Sequence, residues 1–190
     1  MGKKKKKKRK ETNLHIINLN FEITIFYIYG DAHVLDTEHL FKKNNLLMRY
    51  HPLPATFYRH TRANFMDQMK GNSVAVFNSN DTYPISADST LPFTEHRDIF
   101  YLCGVDQEES ILVLYPEALD SKHREILFLR QTDAHIAVWE GKKLSKKEAT
   151  LHTGIETVYW LDDFERIFKE LAAQCDTFYF NTNEHYRQAV

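Results

Sequence analysis

Ten histidines, two cysteines and 26 acidic residues supply this 190-residue chain with side chains for metal or nucleophilic chemistry, so spacing decides whether any is assembled. His51, His60 and His96 stand far apart, with no HxH or HExxH pattern to set two imidazoles on one ion. His123 and His135 fall on either side of an apolar run, and His185 follows Glu184 at a helix start. A solvated or core role is expected of each. Asp162 and Asp163 form a carboxylate pair, but neighbours on a helix point in different directions. Helix capping is the role expected of them. Ser110 and Ser145 lack the glycines of a nucleophile elbow, and Cys103 has no adjacent base to make a thiolate. His96, seven residues before Cys103, is near enough to allow contact but not to imply it. No GxGxxG or P-loop pattern occurs among the six glycines. No catalytic or metal-binding residue is assigned.

The elements that would carry any site begin with residues Pro54 to Met69, where Phe57, Phe65, Met66 and Met69 recur at helical spacing before a stop at Gly71-Asn72. Ser73 to Phe77 reads as a strand, NSNDTYP as a turn and Tyr83 to Ala87 as a returning strand. Ile99 to Leu102 and Ile111 to Tyr115 read as strands joined by a polar loop. Ile126 to Leu129 is a further strand, followed by His135 to Trp139. Ser145 and Glu148 have capping-box spacing, so a helix is expected after Ser145. Leu161 to Ala173 is amphipathic, with Phe164, Ile167, Phe168 and Leu171 on one face and the two aspartates at its positive end. Thr177 to Phe180 reads as a strand, and a helix is expected from Glu184. Interleaved strands and helices predict an α/β domain, a mixed sheet covered by helices. Its strand interiors, VAVF, ILVL and ILFL, carry no carboxylate cluster of the kind a nuclease requires.

Composition divides the chain. Hydrophobic content of 43% and aromatic content of 13% suit a globular domain of this length. The net charge of −1 hides +5 in residues 1–47 and −6 in residues 48–190. Lys3 to Lys8 form an unbroken run. Lys, Asn, Ile, Phe and Tyr, the residues of A/T-rich codons, make up 24 of the first 47 positions but 38 of the remaining 143. Residues 1–47 are therefore expected to be upstream sequence translated from too early a start, a solvated tail before a natural beginning at Met48. A lysine run can attract nucleic acid or anionic lipid, but it carries no interleaved aromatics and no recognition motif. Asn18, Asn20 and Glu22 interrupt the apolar stretch that a signal peptide would need. No apolar run approaches the ~18–20 residues of a membrane span. Cys103 and Cys175, far apart and in no CxxC, are expected to be reduced thiols of a cytosolic protein.

LPFTEHRDIFYLCGVDQEESILVL, from Leu91 to Leu114, combines a proline-aromatic pair, the run Phe100-Tyr101-Leu102, a turn at Gly104, an acidic loop and an apolar strand. With RANFMDQMKGNSVAVFNSND before it and ILFLRQTDAHIAVWEGKKLSKKEA after it, this sequence resembles the N-terminal domain of Xaa-Pro aminopeptidase (aminopeptidase P), in the creatinase/prolidase family. The resemblance runs from about Arg62 to the end of the chain. It departs where Thr61 replaces the first of two paired arginines, and where Thr94, Glu95 and Cys103 replace a basic residue, a glutamine and a threonine.

The resemblance implies a ribonuclease H-like topology. It also implies that the metal and the chemistry lie in a C-terminal metallopeptidase domain, which residues 48–190 would stop short of. There, two divalent ions, manganese or similar, are held by two aspartates, a histidine and two glutamates. That enzyme removes an N-terminal residue preceding proline. Its N-terminal domain packs against the catalytic domain, supports a homo-oligomer and helps to wall the substrate cleft. Arg62, Asp88, Phe93, Phe100, Tyr101 and Trp139 are the candidate interface or cleft-lining residues. Phe100, Tyr101 and Trp139 could line a peptide groove, but core or domain-interface packing is the role expected of them, since such side chains bury large areas. No cofactor, membrane or nucleic-acid partner is expected of the chain itself. Two other readings remain: a stand-alone regulatory module pairing with a separate catalytic chain, and nucleic-acid binding through the lysine arm.

Overall fold

A computed structural model describes residues 53–87, 89–133, 137–138 and 140–181. Its centre is a five-stranded mixed sheet. Strand β1 (Ser73–Asn78) pairs antiparallel with β4 (Ser110–Leu114), and β4 pairs antiparallel with β5 (Glu125–Leu129). β6 (Thr157–Trp160) runs parallel to β5 at one edge, and β7 (Thr177–Phe180) runs parallel to β1 at the other.

Side-chain alternation along the three inner strands builds two cores. Ala75, Phe77, Leu112, Leu114, Leu127 and Leu129 face one way. Helices α1 (Ala55–Met66), α2 (Arg97–Cys103) and α3 (Lys146–Thr153) cover that face, contributing Phe65, Ile99, Leu102 and Ala149. Val74, Val76, Val113, Ile126 and Phe128 face the other way, against Ile167 and Leu171 of α4 (Phe164–Ala172). Strands covered on both faces have no polar side, which is why VAVF, ILVL and ILFL are continuous apolar runs. The mixed sheet between helical layers is the architecture the sequence predicts.

Three local expectations change and one strand is added. Ile99 to Leu102 is helical, not extended. Ile99, Leu102 and Cys103 fall at helical spacing and are buried, and a short apolar run does not tell helix from strand by itself. The His96 ring accepts the Asp98 amide at the helix start, and Gly104 closes the end at φ +71°. Tyr83 to Ala87 does not return to the sheet: β2 (Pro84–Ser86) pairs with β3 (Ser89–Thr90) as a separate hairpin. β6 adds a strand that the sequence reading lacks. Ala137 and Val138 lie in a helical turn, with the Ala137 amide donating to the Asp133 carbonyl at 3.0 Å.

Two helix starts contrast. Ser145 and Glu148 form the complete capping box that their spacing predicts. Leu161 to Asp163, by comparison, form a 3-10 turn before α4, and neither aspartate caps it. Asp163 instead accepts from Arg166, three residues on. Residues 1–47, Glu184 and His185 lie outside the described residues.

Candidate functional site

Arg62 projects from α1 into the interior and is fully buried. Its Nη1 donates to the carbonyls of Leu102 at 2.9 Å and Thr153 at 3.1 Å, the last turns of α2 and α3. Its Nη2 donates to Glu125 Oε2 at 2.9 Å, at the start of β5. A guanidinium is suited to this because its donors diverge in one plane and it never loses its charge. It satisfies two helix-end carbonyls that have no partner within their own helices. Arg62 therefore ties three helices to the sheet and lines no surface of this domain.

Beside it, His152 donates from Nε2 to the Gly104 carbonyl at 2.8 Å. Burial lowers its pKa and keeps the ring neutral, and its Nδ1 has no partner. The Tyr58 ring stands 5.6 Å from the His152 ring, and burial raises its phenol pKa. Tyr58 and His152 resemble an acid–base pair in type, but both are under 5% exposed, so no substrate reaches them. Burial pushes the neighbouring Cys103 thiol up to about 12, and its Sγ donates to the Ile99 carbonyl. It is no nucleophile.

Glu95 forms a second buried polar knot. Its Oε1 accepts the His96 and Asn80 amides at 2.7 and 3.2 Å, and Oε2 accepts the Gln107 amide at 3.4 Å. Burial raises its pKa to about 7 against those three donors, helped by nearby Asp106. Gln107 in turn accepts the Leu144 amide. The knot joins the turn after β1, the start of α2 and the approach to α3.

The surface candidates lie on the α1–α2 side. Phe57 and Tyr101 meet edge-to-face at 6.1 Å, and both are exposed, as is Leu53. Phe93 and Phe100 are half-buried. Tyr83, Ile85 and Leu91 form a second exposed apolar group on the β2–β3 hairpin. Asp88 and Trp139 lie outside the described residues. Among the described residues, no group of three or more His, Cys, Asp or Glu side chains could hold a metal ion. The described residues thus do not fit a divalent-metal pair, and no step through one is derived.

Residues 58–179 match the family model of the aminopeptidase P N-terminal domain. The chain belongs to this family. The aminopeptidase P N-terminal domain seen here is 32% identical over 109 residues to Xaa-Pro aminopeptidase 3 of Homo sapiens, covering 54% of this chain and 21% of the relative. It is 24% identical over 128 residues to Xaa-Pro aminopeptidase of Escherichia coli strain K12, covering 67% and 29%. It therefore spans less than a third of either relative. In fold it is similar to an aminopeptidase of Pseudomonas aeruginosa, with a TM-score of 0.64 at 23% identity, covering 70% of this chain and 30% of that one. Aminopeptidase P from E. coli, solved with the inhibitor Pro-Leu, gives 0.63 at 24%, covering 71% and 30%.

Sequence reasoning singled out Arg62 and Tyr101 but not Glu125, His152 or Gln107, which partner them or their neighbours. Glu95 carried a visible signal, an acid directly after a proline-aromatic-threonine turn. Glu125 carried none.

Proposed function

We propose that this domain serves a manganese-dependent Xaa-Pro aminopeptidase, which removes an N-terminal residue preceding proline, as its non-catalytic N-terminal part. It packs against the metallopeptidase domain, supports the homo-oligomer and helps to wall the substrate cleft. The observation that carries this reading is the family match across residues 58–179, centred on the folded domain. Two features support the non-catalytic role. Three groups whose pKa values burial perturbs, Glu95, Cys103 and His152, are enclosed and bonded to backbone rather than open to a cleft. The exposed apolar residues Leu53, Phe57 and Tyr101 suit a domain boundary. The free thiols of Cys103 and Cys175 support placement in the cytoplasm.

The test compares the 190-residue chain with one extended through the reading frame beyond Val190, each supplied with manganese and an Xaa-Pro peptide. Only the extended chain is expected to release the N-terminal residue. Release by the 190-residue chain overturns the non-catalytic role. A catalytic domain encoded as a separate chain, restoring activity when mixed in, replaces it with the regulatory-module reading.

A further inference from the structure

The sheet ends at β6, which among the described residues has β5 on one side and no strand on the other. An edge strand presents unpaired amides and carbonyls to any extended chain. Proteins usually guard such edges with prolines or inward-pointing charges. Thr157, Val158, Tyr159 and Trp160 supply neither. Alongside this edge runs an open groove of about 510 Å³, walled by α3 and β6 and lined by Lys146, Lys147, Thr150, Leu151, Glu156 and Val158.

The groove has a chemical polarity. Leu151 is 73% exposed although it borders Val158, so an apolar contact is open there. Lys142 and Lys143, just upstream, are neutralised by Glu148 and Glu108. Lys146 and Lys147 have no carboxylate partner among the described residues. Lys146 Nζ instead stands 4.6 Å from the centre of the Trp160 ring, over the end of β6. The capping box at Ser145 fixes the turn that carries both lysines, so their positions beside the strand are set by the helix start.

We propose that the β6 edge binds an extended acidic segment of a partner protein, which adds to the sheet as a further strand. Its backbone pairs with β6, an apolar side chain packs on Leu151 and Val158, and its carboxylates meet Lys146 and Lys147. In this mode main-chain bonds supply affinity and alternate side chains supply specificity. Lys146 and Lys147 outnumber the single Glu156 in the groove, and this excess positive charge selects the acidic partner.

The test titrates the full chain into a fluorescently labelled peptide of alternating valine and glutamate, with a valine–lysine peptide as control. The Lys3–Lys8 run also attracts anions, so the decisive readout is K146E/K147E, which leaves that run intact. Acidic residues in a first helical turn favour the helix dipole, so this variant keeps its fold, checked by circular dichroism. The acidic peptide is expected to bind the wild type and to lose about tenfold in affinity for the variant, with the valine–lysine peptide gaining. N-methylation of alternate peptide amides should weaken binding as well, which attraction to a lysine tail would not cause. No binding by the wild type, equal affinity for the variant, or indifference to N-methylation each overturns the proposal.

Discussion

Arg62 Nη2 lies 2.9 Å from Glu125 Oε2, joining α1 to an inner strand 63 residues away. The same guanidinium closes the ends of α2 and α3, so one side chain fixes the relative placement of four elements. Arg62→Ala would strand two buried carbonyls and leave the half-covered Glu125 carboxylate without its cation. Removing one partner of such a network costs far more than the network's net contribution to stability. Arg62→Ala is expected to lower unfolding free energy by about 3 kcal/mol, and Glu125→Gln, which keeps an acceptor, by about 1 kcal/mol. Urea denaturation midpoints at constant slope measure both. Similar costs for the two variants would show that Arg62 is held by Glu125 alone.

Gly104 and Gly154 end α2 and α3 in the same left-handed conformation, at φ +71° and +74°. Either one replaced by alanine bears a strain of about 1 kcal/mol. They differ in what a new methyl group would meet. At Gly104 it would stand 2.3 Å from the buried Tyr58 ring and 2.8 Å from His152 Nε2, neither of which has room to move. At Gly154 it would meet the Arg59 side chain, which can swing away at the loss of its bond to the Gly154 carbonyl. Gly104→Ala is therefore expected to cost at least about 2 kcal/mol more than Gly154→Ala. Thermal unfolding of the two variants side by side provides the comparison.

Manganese should leave the stability of this chain unchanged. Metal binding to a folded state raises its melting temperature by mass action, and a two-metal site needs several carboxylates and an imidazole held together. No such group forms among the described residues. Melting curves with and without micromolar manganese are expected to coincide. A clear rise would place a ligand set where none is described.

How much was readable in the sequence depended on the range of the interaction. Periodicity and caps are local, so α1, the Ser145–Glu148 box, the amphipathic α4 and the four apolar strands were legible. Ile99 to Leu102 was misread because its apolar residues satisfy both strand and helix patterns over so short a span. Only the Gly104 cap and the packing of Ile99 and Leu102 decide for the helix. The pairings that make the buried site are longer in range. Arg62 meets Glu125 63 positions away, and His152 meets Gly104 48 positions away, with nothing in either local stretch to name its partner. The family resemblance supplied the domain, but not the reason why Arg62 sits inside it.

Glu95 and His152 should give the domain opposing responses to pH. Burial raises Glu95 from 4.5 to about 7 in the folded state. A carboxyl with a raised folded pKa contributes stability at low pH, and that contribution is lost as pH rises from about 4.5 through about 7. A shift of that size corresponds to about 3 kcal/mol between the ends of the window. Burial lowers the pKa of His152 below 6.5, so its contribution has the other sign: full above 6.5 and lost as pH falls beneath it. Glu95→Gln keeps an acceptor for the Asn80 and His96 amides while removing the ionisation. Wild type is expected to lose stability between pH 5 and pH 7, whereas Glu95→Gln should hold or gain as the unfolded chain's competing protonation of His152 fades. Melting temperatures of both proteins across that range decide it. Parallel curves would mean that the three backbone donors outweigh burial and that Glu95 is ionised throughout.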